Sequence, residues 1–175
     1  MRVADYIIQT LIDYGVKHIF LVVGGAAMYL DDAIKKSGIK YVCCHHEQAA
    51  AMAAEGYART SGKLAVICVT SGPGGTNAIT GILSAYLDSV PILCLSGQVK
   101  QETCMASYPS LKLRQLGDQE ANIVSIVRPI TKYAKMITKV EEVKEELEKA
   151  IKLATEDRPG PVLLDIPWDI QKGEI

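Results

Sequence analysis

Short apolar, β-branched runs alternate with helical patterns nearly from end to end of this chain, and that alternation limits the fold more than any single motif. Val3, Ile7, Leu11 and Tyr14 recur at three- to four-residue spacing, giving one apolar helical stripe that Gly15 stops. His18 to Val23 reads as a buried strand, Ala26 to Lys36 as a helix ended by Ser37-Gly38, and Ile39 to Cys44 as a second strand. A helix from Glu47 closes at Ser61-Gly62, Leu64 to Val69 is a third strand, and another helix follows the 70–75 turn through Leu87. Pro91 to Ser96, Ile130 to Ile137 and Pro161 to Pro167 supply three more strands, with an amphipathic helix from Val140 to Ala154 before the last. On that helix Glu145–Lys149 and Glu148–Lys152 have the spacing of favourable i,i+4 pairs on a solvated face. Between Gly97 and Asp118 the pattern breaks into a polar, irregular stretch, and long irregular segments in compact domains are usually functional or mobile. Strands separated by helices of this length imply a three-layer α/β fold, a parallel six-stranded sheet with helices on both faces. At 175 residues the expectation is one domain spanning 1–175.

In open α/β sheets ligands gather beyond the carboxyl ends of the strands. Gly24-Gly25, Glu47, Thr70 to Gly75 and Gly97-Gln98 each follow a strand directly and so should share one rim. Glu47 is the most demanding of these. It stands where a strand gives way to a helix with small faces, made by Ala49, Ala50, Ala53, Ala54 and Ala58. A carboxylate in such apolar surroundings costs free energy unless it finds a partner. The bland alternative is a first-turn acid facing water and stabilised by the helix dipole.

The turn Gly72-Pro73-Gly74-Gly75-Thr76-Asn77 resembles a phosphate cradle only at first glance. A dinucleotide fingerprint needs a third glycine where Asn77 stands, and a Walker loop needs a Gly-Lys-Ser/Thr that is absent. Pro73 removes one amide and suits the first turn of a helix. The glycines fit better as a place where backbone approaches a flat ligand or a partner chain.

A hydrophobic content of 49% and a formal charge of −1 exclude disorder and give no electrostatic case for nucleic acid or an anionic membrane surface. The apolar runs are too short to span a bilayer, and no secretory leader is visible, so the cytoplasm is the expected compartment. Cysteines at 43, 44, 68, 94 and 104 read as buried free thiols. Cys43-Cys44-His45-His46 cannot converge tetrahedrally, because successive strand residues point to opposite faces, and no metal-ligand set is expected.

Taken together, the chain resembles the pyrimidine-binding domain of thiamine diphosphate-dependent enzymes, specifically the acetolactate synthase-like group. The resemblance rests on ordered blocks along nearly the whole chain. These are Gly24-Gly25-Ala26; His46-Glu47-Gln48 through Gly56-Tyr57-Ala58-Arg59; Thr70-Ser71-Gly72-Pro73-Gly74 with Thr76-Asn77; Pro91 with Gly97-Gln98-Val99; Gln119-Glu120 with Arg128-Pro129-Ile130-Thr131-Lys132; and Arg158-Pro159-Gly160-Pro161-Val162. The resemblance implies that Glu47 hydrogen-bonds the N1′ nitrogen of the cofactor's aminopyrimidine. That contact favours the imine form of the 4′-amino group, which takes the proton from C2, and the C2 ylid then attacks a 2-keto acid. It also implies that Gly25, Thr70, Gly72, Pro73 and Asn77 line the cofactor pocket, and that Gly25, Ala26 and Gln119 face the substrate, Gln119 with a catalytic part. The bland rivals are tight turns at Gly25 and Gly72, a local backbone contact at Asn77, and an exposed residue at Gln119. His46 is expected to orient the strand-to-helix turn, and Tyr57 and Arg59 to serve packing and a surface or subunit contact.

Two departures stand at substrate-side positions. Leu21-Val22-Val23 replaces the Gly-Tyr-Pro that acetolactate synthases carry, and Asp118 replaces the Phe before Gln-Glu. A related 2-keto acid decarboxylase or lyase subunit therefore remains an alternative, as does a non-catalytic interaction domain that kept the fold. Nothing here resembles the family's diphosphate-binding domain, which holds Mg²⁺ and the diphosphate, nor its middle domain. The resemblance implies that a second chain or subunit supplies that half, in a homodimer or homotetramer, and it leaves FAD open for the full enzyme. The chain alone is expected to be inactive.

Overall fold

A computed structural model describes residues 1–175. In chain order the elements are α1 (Val3–Tyr14), β1 (His18–Leu21), α2 (Met28–Ser37), β2 (Lys40–Cys43), α3 (Glu47–Ser61), β3 (Ala65–Val69), α4 (Pro73–Asn77), α5 (Ile79–Leu87), β4 (Ile92–Gln98), α6 (Ile123–Val127), β5 (Tyr133–Met136), α7 (Val143–Thr155), β6 (Val162–Pro167) and α8 (Trp168–Gln171). The six strands form one sheet in the order β2-β1-β3-β4-β6-β5, and every pairing is parallel. The three-layer α/β architecture expected from the alternation is the one observed.

Successive strand side chains point to opposite faces, and the core divides accordingly. Ile19, Leu21, Val66, Cys68, Leu93, Leu95, Val162, Leu164 and Ile166 pack against α1, α2 and α7 on one face. Phe20, Ala65, Ile67, Val69, Ile92, Cys94 and Leu163 pack against α3, α5 and α6 on the other. Both faces of the central strands are covered, which is why β3 and the first residues of β4 and β6 read as apolar runs without alternation.

The chain steps from β1 outward to β2, then returns across β1 to β3 and proceeds the other way. The strand order thus reverses between β1 and β3, and a crevice opens at their carboxyl ends. Gly24-Gly25 and Thr70 to Gly75 are the two turns that border it.

Several boundaries differ from the sequence expectations. β1 ends at Leu21, so Val22 and Val23 leave the sheet, and Val23 is exposed. β4 runs on through Gly97 and Gln98 because both still pair with β6. Ile130 lies in a single helical turn at Arg128–Ile130, with Pro129 unable to donate to a ladder, and β5 starts only at Tyr133. α6 was invisible to periodicity because it is five residues long, its start fixed by Asn122 Oδ1 accepting from the Ser125 amide at 3.1 Å. The i,i+4 pairs expected on α7 do not form. Lys149 lies 4.4 Å from the Tyr133 ring centroid, and Lys152 pairs with Glu156. The acid this face turns inward is Glu146, buried, with Lys135 at 2.6 Å and the Tyr133 hydroxyl donating to it.

The cysteine reading needs one correction. Cys68, Cys94 and Cys104 are buried free thiols, but Cys43 is exposed and Cys44 half-buried, because β2 is the outermost strand on its side. No helix is long and apolar enough to cross a membrane.

Candidate functional site

Thr70, at the end of β3, is the hub of the rim. A Cβ on Gly24 would lie 2.4 Å from the Thr70 Cβ, and one on Gly74 would lie 2.6 Å from its Cγ2. Its hydroxyl accepts from the Ala26 amide at 3.1 Å. One small side chain therefore joins the turn after β1 to the turn after β3, and glycine on either side is a condition of that contact.

Beyond Gly74 lies Glu47. His46 caps α3 through Nδ1, which accepts from the Gln48 amide at 3.1 Å, as expected of an orienting residue. The cap starts the helix at Glu47 and turns its side chain inward, leaving the residue only 9% exposed. Asn77 Nδ2 donates to Glu47 Oε2 at 3.0 Å, across from the end of α4. Oε1 accepts from no protein group and lies 3.5 Å from where a Gly74 Cβ would stand. The structure thus brings Glu47 and Asn77 together beside a glycine surface. The water-facing alternative for Glu47 fails on its burial. The local-backbone alternative for Asn77 fails on its partner.

Gly72 opens α4 with φ 60° and ψ −125°, and a Cβ there would lie 1.8 Å from the Gln119 carbonyl oxygen. Gln119 itself adopts φ 50°, uncommon for a residue with a side chain. Gly72 is therefore no mere tight turn. Its missing side chain is where the 118–120 backbone crosses the rim. Pro73 occupies the first turn of α4, where its missing donor is harmless.

Gly25, Ala26 and Gln119 line one cleft of about 300 Å³ together with Thr70, Ser71, Asp118, Met28, Val99 and Trp168. Glu47, Gly72, Pro73 and Asn77 are not among its walls, so the rim has two neighbouring compartments with Thr70 between them. Tyr57 packs against His18 and Phe20, and Arg59 pairs with Glu55 and Asp88, so neither reaches the rim.

Three residues that position the site had no assigned role in the sequence reading. Gln98 donates to Asp165 Oδ2 at 2.9 Å and to the Ala121 carbonyl at 3.1 Å, tying the end of β4 to the far end of the irregular segment. Glu120 accepts from the Met105 and Leu116 amides at 2.9 Å each, which folds that segment back on itself. Asp31 accepts from the Gly24 amide at 3.2 Å, and burial pushes its carboxyl up to about 6. Gln98, directly after a buried strand, and Glu120, beside Gln119 in a motif block, carried a sequence signal; Asp31, inside a helix, carried none.

Asp165 is the most deeply placed carboxyl in the chain. It is 2% exposed, Oδ1 has no partner, and burial raises its pKa from 3.8 to about 7. A carboxyl raised in the folded state contributes stability that is complete below about 3.8 and is lost as pH rises through about 7. Across that window the cost is about 4 kcal/mol. Thermal unfolding should therefore show the protein less stable at pH 8 than at pH 5. Asp165→Asn is expected to remove most of that slope and leave the smaller one from Asp31. An unchanged slope in the variant would contradict the burial account.

With the geometry in hand, comparison with known proteins decides the family. Residues 1–122, more than two thirds of the chain, match the family described as thiamine pyrophosphate enzyme, N-terminal TPP binding domain. The chain belongs to this family. It is 43% identical over 170 residues to the acetolactate synthase large subunit of Buchnera aphidicola subsp. Acyrthosiphon pisum, covering 97% of this chain and 28% of that protein. It is 44% identical over 168 residues to the acetolactate synthase isozyme 3 large subunit of Escherichia coli strain K12, covering 95% and 28%. It is 42% identical over 173 residues to the chloroplastic acetolactate synthase of Arabidopsis thaliana, covering 97% and 24%. The chain thus spans about a quarter of the length of these relatives.

The residues of this TPP-binding domain suit one part of the cofactor. The free Oε1 of Glu47 offers an acceptor, and Gly72 and Gly74 leave bare backbone where a flat ring needs room. No group of three or more His, Cys, Asp or Glu side chains comes together in the chain.

Proposed function

We propose that this chain is the pyrimidine-binding domain, residues 1–175, of an acetolactate synthase-like enzyme acting on 2-keto acids. The observation that carries the reading is Glu47, buried, oriented by Asn77 and left with one free oxygen beside the glycine surface at the strand-order reversal. When bound, thiamine diphosphate supplies a nucleophilic carbon and an electron sink for the loss of CO₂ from a 2-keto acid. Glu47 Oε1 would accept a hydrogen bond from the cofactor's ring nitrogen and so hold a proton there. Asn77 restrains the carboxylate so that little reorganisation is needed. Pro73 and Gly72 shape the pocket wall, Thr70 sets its spacing from the second compartment, and Gly25, Ala26 and Gln119 meet the substrate there. Mg²⁺ and the diphosphate belong to a second domain on another chain, in a homodimer or homotetramer. Free thiols at all five cysteines support a reducing compartment, the cytoplasm.

The test compares the complete protein with this chain alone, each given thiamine diphosphate, Mg²⁺ and pyruvate. Cofactor-dependent CO₂ release is expected from the complete protein and not from the isolated chain. Release by the isolated chain would overturn the division of labour between domains.

A further inference from the structure

The cleft beside the Glu47 compartment carries a single charge, and it is negative. Of its nine lining residues only Asp118 has an acidic or basic side chain; the others are Gly25, Ala26, Met28, Thr70, Ser71, Val99, Gln119 and Trp168. No hydrogen bond or ion pair engages the Asp118 carboxylate within the chain, although nearly every other acid near the rim is paired. Two cations adjacent in sequence to cleft residues or close to them are engaged elsewhere. Lys100 is paired with Glu102, and Lys172 sits over the Trp168 ring, 5.3 Å from its centroid, outside the cleft lining.

Asp118 is also held in place, though it lies in an otherwise irregular segment. On one side, a Cβ at Gly117 would lie 2.6 Å from the Thr103 carbonyl oxygen and 2.8 Å from Val99 Cγ2, so the chain is pressed against the end of β4. On the other, the left-handed Gln119 crosses Gly72, and Glu120 is clamped to two backbone amides. The backbone is thus held on both flanks, and Asp118 itself is exposed and without a partner.

We propose that Asp118 sets acceptor specificity, favouring an uncharged carbonyl compound that carries hydrogen-bond donors, such as a hydroxylated aldehyde, over a second 2-keto acid anion. This rests on the function proposed above and names the second substrate of that site. In the balanced reaction, RCOCOO⁻ + R′CHO + H⁺ gives RCOCH(OH)R′ + CO₂. The donor loses its carboxylate as CO₂, its acyl carbon forms the new bond to the aldehyde carbon, and the aldehyde oxygen takes up the proton. An anionic acceptor in this cleft brings its carboxylate toward Asp118, and none of the residues this chain contributes to the lining is a cation. A hydroxylated aldehyde instead donates to Asp118 and lays its carbon chain on Met28, Val99 and Trp168.

The test uses the complete enzyme with pyruvate as donor and either glyceraldehyde or a second pyruvate as acceptor, in wild type and Asp118→Asn. The expected result is that Asp118→Asn raises kcat/KM for the anionic acceptor relative to the aldehyde by about fivefold, the size expected of one partly screened charge. CO₂ release from pyruvate without an acceptor is followed in both proteins, so that the acceptor ratio is read apart from any change in the donor step. Raising salt from about 0.1 M to about 1 M shortens the screening length from roughly 10 to roughly 3 Å, and should narrow the wild-type preference but not that of the variant. A binding readout needs no turnover. Trp168 is the only tryptophan of this chain and lines the cleft, so its emission should respond more weakly to propionate than to propionamide, and equally to both in Asp118→Asn. An unchanged acceptor ratio with CO₂ release intact overturns this inference alone. Absence of cofactor-dependent CO₂ release from wild type overturns it together with the function it rests on.

Discussion

Glu47→Gln is expected to lower cofactor-dependent turnover of the complete enzyme by 10²- to 10⁴-fold, the usual worth of a positioned acid–base group. The substitution keeps length and volume, and the new amide still meets Asn77, so the start of α3 should hold and the unfolding temperature should move little. What changes is the partner offered to the ring nitrogen. A neutral amide oxygen accepts more weakly than a carboxylate and supplies no charge to hold a proton there. Asn77→Ala should give a smaller loss, because it removes only the restraint on the carboxylate. Steady-state kinetics beside thermal unfolding separates these effects. Retention of more than about a tenth of wild-type turnover in Glu47→Gln would remove acid–base chemistry from that residue.

Gly72→Ala should have the largest effect on structure. Its Cβ would be placed 1.8 Å from the Gln119 carbonyl oxygen, in a backbone conformation that side chains rarely adopt. Strain of about 1–3 kcal/mol from the conformation and a similar amount from overpacking add up to roughly 2–6 kcal/mol. In a domain of this size each kcal/mol shifts the unfolding temperature by about 2–4 °C. The chain can avoid that penalty only by moving the 118–120 segment, which carries Gln119 out of the cleft. Either response should be measurable, as a lower unfolding temperature or as a raised KM. Gly25→Ala is the control. Nothing lies within 4 Å of its Cβ, so stability should change by less than about 1 kcal/mol, while the new methyl enters the cleft. Equal stability loss in both variants would contradict the crossing of Gly72 by Gln119.

How much of this was legible in the sequence follows from what each feature depends on. The six strands and their helices were readable because strand and helix periods differ and each element buries a face. Strand order was not, since β6 inserts between β4 and β5 through contacts separated widely in sequence. The rim residues were readable because ligand sites follow strand ends, and Glu47 because a carboxylate stands before an alanine-rich helix. The contact between Gly72 and Gln119 was not, since it depends on where an aperiodic segment returns to the sheet. Asp31 and Asp165 escaped notice for a similar reason. Acids in helices and strands look alike in sequence, whether or not burial has raised them. The exposure of Cys43 followed from β2 being an edge strand, which no local pattern announces.

A structure of the complete enzyme with thiamine diphosphate bound tests the central claim most directly. The account predicts that Glu47 Oε1 lies within hydrogen-bond distance of the aminopyrimidine ring nitrogen, about 2.7–3.2 Å, while Oε2 keeps its contact with Asn77. A ring nitrogen satisfied by another group, with the Glu47 carboxylate turned elsewhere, would contradict it.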